Sequence, residues 1–189
     1  RCVEKTTLSP PYSYDWLVSE CVDLLSKIDA LPHKLSKYGL CENSCATSDA
    51  YKLKPLLRES QDIRQKDVMR IVNTGTIGKY LSKWGEREMV YLGDRYKSPV
   101  IVKKEFLAEF PNSYGRKSVK PKIIIKGLNL LDACLDADGT IIPGKTTLIV
   151  TSNDLHTLKF LLAIINSSAA FVYLKNKYLA SSYNKGTTF

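Results

Sequence analysis

The sequence predicts an α+β fold: a small, mostly antiparallel or mixed β-sheet domain flanked by helices, with an N-terminal helical arm. Three observations predict it. From Tyr14 to Leu31 the apolar residues Trp16, Leu17, Cys21, Leu24, Leu25, Ile28 and Leu31 recur at spacings of three and four, the period of an amphipathic helix. From Val68 onward the chain breaks into short β-favouring runs separated by glycine and proline. After Asp154 the helical spacing returns.

In chain order, Pro32 ends the first helix. Residues 33–50 read as a loop rich in Ser, Asn, Gly and Cys, after which Ser48 or Asp49 can cap a short helix running to Leu57. The runs V-M-R-I-V, Y-L-G, P-V-I-V, K-I-I-I-K and T-T-L-I-V-T are the expected strands. K-K-E-F-L-A-E-F reads as a helix between strands. P-N-S-Y-G-R-K-S-V-K-P, bounded by Pro111 and Pro121, reads as an exposed basic loop with three cations and no acid, a composition suited to phosphate. Asp154 can cap a helix carrying Leu155, Leu158, Leu161, Leu162 and Ile165. Asn166-Ser167-Ser168 then interrupts it before F-V-Y-L-K-N-K-Y continues as a second helix, the pair packing on the sheet.

At 189 residues and 44% hydrophobic composition the chain can bury a real core. No run approaches the roughly 18 consecutive apolar residues of a membrane span, and the N-terminus has no signal-peptide core. The chain opens on Arg1 and not on Met, which predicts a piece of something longer. Five cysteines, Cys2, Cys21, Cys41, Cys45 and Cys134, at irregular spacing argue against a disulfide framework and for a reducing compartment, the cytoplasm. Cys41 and Cys45 offer two thiolates with only His33 nearby, short of the four ligands of structural zinc.

The net charge of +9 is uneven: residues 67–126 carry 13 basic and 6 acidic side chains, an excess of +7. A basic middle third raises the local concentration of polyanions and supports contact with nucleic acid.

Enzymatic motifs fail on context. G-T-I-I-P-G-K-T, Gly139 to Thr146, has the letters of a phosphate-binding loop. Such a loop must open a helix whose first amides hold the phosphates, and here T-L-I-V-T predicts a strand. D-A-D-G-T-I-I-P-G-K instead reads as a hairpin linking two strands. Asp136, Asp138 and Gly139 begin a calcium loop without completing it. No Asp or Glu is followed two residues later by Lys, so the common metal-nuclease core is absent. His33 and His156 stand beside no nucleophile. S-P-P-Y, Ser9 to Tyr12, is similar to the catalytic motif of amino-group DNA methyltransferases, but no glycine-rich cofactor turn accompanies it. A stiff extended lead-in accounts for the paired prolines.

Several separated stretches resemble one family. They are N-T-G-T-I-G-K-Y-L-S-K-W-G (73–85), Y-L-G-D-R-Y-K-S-P-V-I (91–101), P-K-I-I-I-K-G-L-N-L-L-D-A-C-L-D-A-D-G (121–139), T-T-L-I-V (146–150) and L-K-F-L-L-A-I-I-N-S-S (158–168). In content and order they resemble the TaqI-like C-terminal specificity domain, the target recognition region of N6-adenine DNA methyltransferases, including fused type IIG restriction-modification enzymes. A-T-S-D-A-Y-K-L-K-P-L-L (46–57) is similar to the entry of such a domain. The resemblance covers roughly residues 45–189 and makes residues 1–44 a helical linker from an upstream methyltransferase domain.

What the resemblance implies is sequence-specific recognition of double-stranded DNA by a segment that is non-catalytic alone. It implies no cofactor here, since S-adenosylmethionine belongs to the methyltransferase domain, and it implies that domain and duplex DNA as partners. In this reading Gly75 and Gly78 let the loop approach the duplex, and Thr74, Thr76 and Lys79 supply donors. Tyr80 and Trp84 pack beneath them as anchors. Arg95, Lys97, Arg116, Lys117, Lys120 and Lys122 are expected at phosphates, and Asn184 and Lys185 at bases or backbone. The rivals are an RNA or single-strand binder, an ATP-binding enzyme relying on Lys145, and a docking subunit that touches no DNA.

Overall fold

In the computed structural model, residues 22–62, 67–127 and 131–179 are described. The expectations for Ser9–Tyr12, the first part of the N-terminal helix, Asn184 and Lys185 lie outside them. The described chain is an α+β fold. Its elements are α1 (Val22–Asp29), β1 (Leu40–Asn43), α2 (Thr47–Leu53), β2 (Arg58–Glu59), β3 (Val68–Val72), β4 (Met89–Tyr91), β5 (Asp94–Tyr96) and β6 (Pro99–Val102). There follow α3 (Lys103–Glu109), α4 (Ser113–Ser118), β7 (Lys122–Lys126), β8 (Ala133–Asp136), β9 (Ile141–Pro143), β10 (Thr147–Thr151), α5 (Leu155–Ile165) and α6 (Ser168–Leu174).

The strands form two four-stranded sheets and a two-stranded ribbon. The first sheet, in the order β1-β10-β7-β8, is antiparallel throughout. The second, β2-β6-β3-β9, is antiparallel except for its β3–β9 pair. β4 and β5 make the ribbon.

The alternation of side chains along a strand explains the layering. In β7, Ile123 and Ile125 pack with Leu158, Leu161, Leu162 and Ile165 of α5, while Ile124 faces the opposite way. There it meets Val72 and Ile141 of the second sheet, Cys134, and Ile77. In β3, Met69 and Ile71 point away from that seam, into a third cluster with Leu53 of α2, Phe106 of α3, Phe110 just after it and Tyr114 of α4. Each fully buried isoleucine contributes about 1.5–3 kcal/mol relative to exposure. The two sheets thus share a thin apolar seam, each covered by helices on its far side.

Helix ends follow the expected chemistry. The Asp154 carboxylate accepts from the His156 and Thr157 amides and starts α5, and Ser167 accepts from the Ala170 amide and starts α6. Asp49 accepts from the Ala46 amide across the first turn of α2, so the cap sits at Ala46, ahead of the expected Ser48 or Asp49.

Three expectations need correction. The basic segment between Pro111 and Pro121 is not an exposed loop. Asn112 caps α4 through the Tyr114 and Gly115 amides, and Tyr114, Gly115 and Ser118 are buried. The Tyr114 hydroxyl donates to the Pro143 carbonyl. Burial of that aromatic, packed edge-on to Phe106 and Phe110, is what holds the segment down.

The second correction concerns Asp136 to Lys145. It is not a hairpin: β8 belongs to the first sheet and β9 to the second, so this segment carries the chain from one to the other. Asp136 organises the crossing, its carboxylate accepting from the Thr140 and Ile141 amides at 3.0 Å each. Gly139 has φ +65°, and a Cβ there would lie 2.1 Å from the Val119 carbonyl oxygen, so no other residue fits without moving backbone.

Third, the first sheet begins before residue 45. β1 pairs with β10 from Leu40↔Thr151 to Asn43↔Leu148, so the linker drawn to residue 44 ends inside the sheet. α1 is tied down as well: Asp29 accepts from Lys177 at 2.8 Å and from the Tyr173 hydroxyl. Among the described residues no single helix is long and apolar enough to cross a membrane.

Candidate nucleic-acid interface

The segment from Asn73 to Arg87 leaves the end of β3 and runs along the seam between the sheets. It is held at both ends and in the middle. Asn73 begins a short turn: its side-chain oxygen accepts from the Gly75 amide at 3.0 Å and its side-chain NH2 donates to the Val90 carbonyl at 2.9 Å, reaching β4. The Thr74 hydroxyl donates to the Thr146 carbonyl at 2.7 Å, which ties the loop to the turn before β10. Ile77 is buried in the seam. Ile77 and Ser82 then pair as an antiparallel bridge, closing a tight turn over Gly78, Lys79, Tyr80 and Leu81.

That turn is the exposed tip. Tyr80 has φ +66°, a conformation that costs a non-glycine residue about 1–2 kcal/mol. Its amide donates to the Ala133 carbonyl of β8 at 2.8 Å, which docks the tip on the edge of the first sheet. The side chain stays out: Tyr80 is 55% and Leu81 50% exposed. On the returning arm, the Trp84 indole N–H donates to the Pro99 carbonyl of β6 at 2.7 Å. The Arg70 guanidinium lies 5.1 Å from the centre of the indole ring, a cation–π contact. Trp84 is therefore the expected packed anchor, and Tyr80 is not.

The structure separates the sequence-predicted contacts into three groups. Thr74 and Lys79 stand on this loop, and Lys79 is exposed with no partner among the described residues. Arg95 and Lys97 lie on and after β5, on the adjoining ribbon. Arg95 is paired with Glu88 at 2.7 Å, both side chains exposed. The Lys97 amide donates to Glu59 at 2.6 Å while its side chain is exposed.

Arg116, Lys117 and Lys120 lie on or just after α4. No hydrogen bond or ion pair among the described residues joins them to the loop. Arg116 is exposed and donates to the Pro111 carbonyl at 2.9 Å. Lys120 is exposed beside a 660 Å³ groove that Lys37, Tyr38 and Asp154 also line. Lys117 is engaged by Glu42 at 2.9 Å and the Asn43 carbonyl at 2.7 Å, with 14% of its side chain exposed.

Two expected contacts are overturned. Lys122 is fully buried, donating to Asp136 and to the Ser118 carbonyl. Burial lowers the pKa of its ammonium and the Asp136 charge opposes that. It braces the crossing between sheets and reaches no phosphate. Thr76 is 1% exposed, its hydroxyl bonded to the Asn73 carbonyl and amide, so its donor is spent inside the turn. Gly78 is also buried: a Cβ there would meet the Lys83 side chain at 2.9 Å. Its role is to close the turn on itself.

Sequence reasoning passed over Lys83 and Arg87, and weighed Lys145 only as the lysine of a phosphate-binding loop. Lys83 is half-buried beside Gly78, and Arg87 is exposed at the far end of the loop. Lys145 is exposed next to Thr146, on the turn that Thr74 grips. A count of cations against acids within 73–87, three to one, was the signal for the first two.

Among the described residues no cysteine is an activated nucleophile. Burial pushes the Cys134 thiol beneath the loop up to about 12 and Cys45 up to about 11, so both are protonated thiols at neutral pH. Lys145 precedes β10 and no helix, leaving its G-x4-G-K-T segment without the amides that a nucleotide phosphate needs. Among the described residues no group of three or more His, Cys, Asp or Glu side chains is placed to hold a metal ion.

No known protein family matches the chain, and no curated protein matches it.

Proposed function

We propose that this chain is a sequence-specific double-stranded DNA recognition domain, non-catalytic by itself, working beside a methyltransferase domain of an N6-adenine DNA methyltransferase or restriction-modification protein. That domain binds S-adenosylmethionine and carries the transfer. The observation that carries the proposal is the Lys79–Leu81 tip. A cation without a partner among the described residues and an exposed tyrosine sit on a turn pinned to β4, β6, β8 and the turn before β10.

Preorganised aromatic and cationic groups suit nucleic acid because the bound shape is set before binding. Lys79, Lys83 and Arg87 hold phosphates, and Tyr80 lies on bases exposed where the duplex is opened for base extrusion. The exposed cations on the ribbon and on α4 extend the footprint at its edges.

Competition of labelled duplex against unlabelled single-stranded DNA and RNA tests the proposal. Retention of the duplex supports it. Displacement by RNA or single strands at lower concentration than by duplex points to a single-strand module, and failure to bind any of them points to a docking subunit.

A further inference from the structure

Behind the loop tip lies a cavity of about 170 Å³ lined by Lys79, Leu131, Asp132, Ile165, Asn166, Ser167 and Phe171. We infer, resting on the DNA reading above, that it receives one unstacked pyrimidine-sized nucleobase whose 5′-phosphate is held by Lys79.

Size is the first argument. An apolar cavity of about 150 Å³ holds benzene, so one six-membered ring fits here and little more.

Wall chemistry is the second. Phe171 supplies an aromatic wall, with Leu131 and Ile165 completing the apolar part. Asn166 supplies the polar recognition. It is 5% exposed, accepting from the Ala133 amide at 3.0 Å and donating to the Ala133 carbonyl at 2.9 Å. A side-chain amide has two donor hydrogens and two acceptor lone pairs, so Ala133 leaves one of each unused on this cavity-lining residue. A neighbouring donor and acceptor are what the edge of a pyrimidine base presents in return.

Attachment to the loop is the third. The Ala133 carbonyl accepts from both the Asn166 side chain and the Tyr80 amide, so the cavity and the exposed tip are one hydrogen-bonded unit. Lys79 stands at the cavity with no partner among the described residues. Lys117, Lys122 and Lys126 each face a carboxylate. A cation beside an aromatic-walled pocket is what a nucleotide requires.

The test is an amide-resolved NMR titration of the isotope-labelled protein with thymidine 5′-monophosphate, using deoxyribose 5-phosphate as the control without a base. The expected result is saturable shifts at Asp132, Ser167 and Phe171 with the nucleotide and none with the sugar phosphate. Leu131→Trp, which fills the cavity without removing a hydrogen bond, is expected to abolish those shifts. Equal shifts with the sugar phosphate, shifts elsewhere, or no shifts overturn the assignment. Duplex binding by the same sample separates the two readings. A duplex bound with a silent cavity overturns the cavity alone, while a responsive cavity without duplex binding keeps it and overturns the duplex reading.

Discussion

The Tyr80 amide donates to the Ala133 carbonyl at 2.8 Å while the Tyr80 backbone stands at φ +66° and its side chain is 55% exposed. A residue of unfavourable backbone shape is thus held by an edge strand with its ring in solvent. Strain of this kind persists only where the surroundings over-determine it. Tyr80→Gly relieves about 1–2 kcal/mol of backbone cost and adds about 0.5–1 kcal/mol of unfolded-chain entropy. The folded state is expected to be as stable as before or slightly more so, read from the urea midpoint. Removing one base–aromatic stack takes away about 1–3 kcal/mol of affinity, read from duplex binding. Unchanged binding removes Tyr80 from the interface.

Lys79, Lys83 and Arg87 are expected to set the salt dependence. Replacing all three by Gln lowers the log–log slope of duplex affinity against salt by about 0.9 for each phosphate that is no longer neutralised. Arg116→Gln with Lys120→Gln tests the α4 surface separately. A slope moved only by the second pair places the interface on α4 and away from the loop.

Lys122 is a structural brace. Lys122→Met leaves Asp136 buried without its cation, and breaking one side of a buried pair costs about 3–5 kcal/mol. A large fall in urea midpoint with an unchanged salt slope for the folded fraction is the expected pattern. A stable variant with a flattened slope would return Lys122 to the DNA interface.

The contact of α1 with the C-terminal helical segment is expected to weaken in acid. Burial tends to raise the Asp29 pKa, but hydrogen bonds from Lys177 and Tyr173 and the Lys177 charge outweigh it, so the value lies below the ordinary 3.8. Burial tends to lower Lys177, and its bonds to Asp29 and Tyr173 outweigh that, so its value lies above the ordinary 10.5. The Asp29 contribution is therefore present above 3.8 and lost as pH falls through the lower folded value. That of Lys177 is present below 10.5 and lost as pH rises through the higher one. Amide exchange of α1 against pH checks this, and Asp29→Asn should remove the acid limb. An acid limb that survives the substitution assigns it to another group.

Local periodicity made much of the fold legible. The strands V-M-R-I-V, P-V-I-V, K-I-I-I-K and T-L-I-V-T, the K-K-E-F-L-A-E helix, and the Asp154 and Asn166–Ser168 punctuation around α5 stand where their chemistry places them. Long-range pairing was not legible. Nothing local distinguishes a hairpin after Asp136 from a crossing to a second sheet, since Gly139 suits both. Lys122 looks like a strand-end surface lysine until Asp136, its cross-strand partner in β7–β8, is known. For the site, the glycines around Lys79 marked the loop, and Trp84 fitted the role of an anchor. Tyrosine carries no signal for positive φ, so the exposure of Tyr80 could be read only from the fold.

Selection of bound duplexes from a randomised DNA pool at low salt, followed by sequencing, tests the central claim most directly. An enriched short motif, weakened by Tyr80→Gly, is the predicted result. Recovery of the pool without enrichment, or no recovery at all, would contradict sequence-specific recognition by this loop.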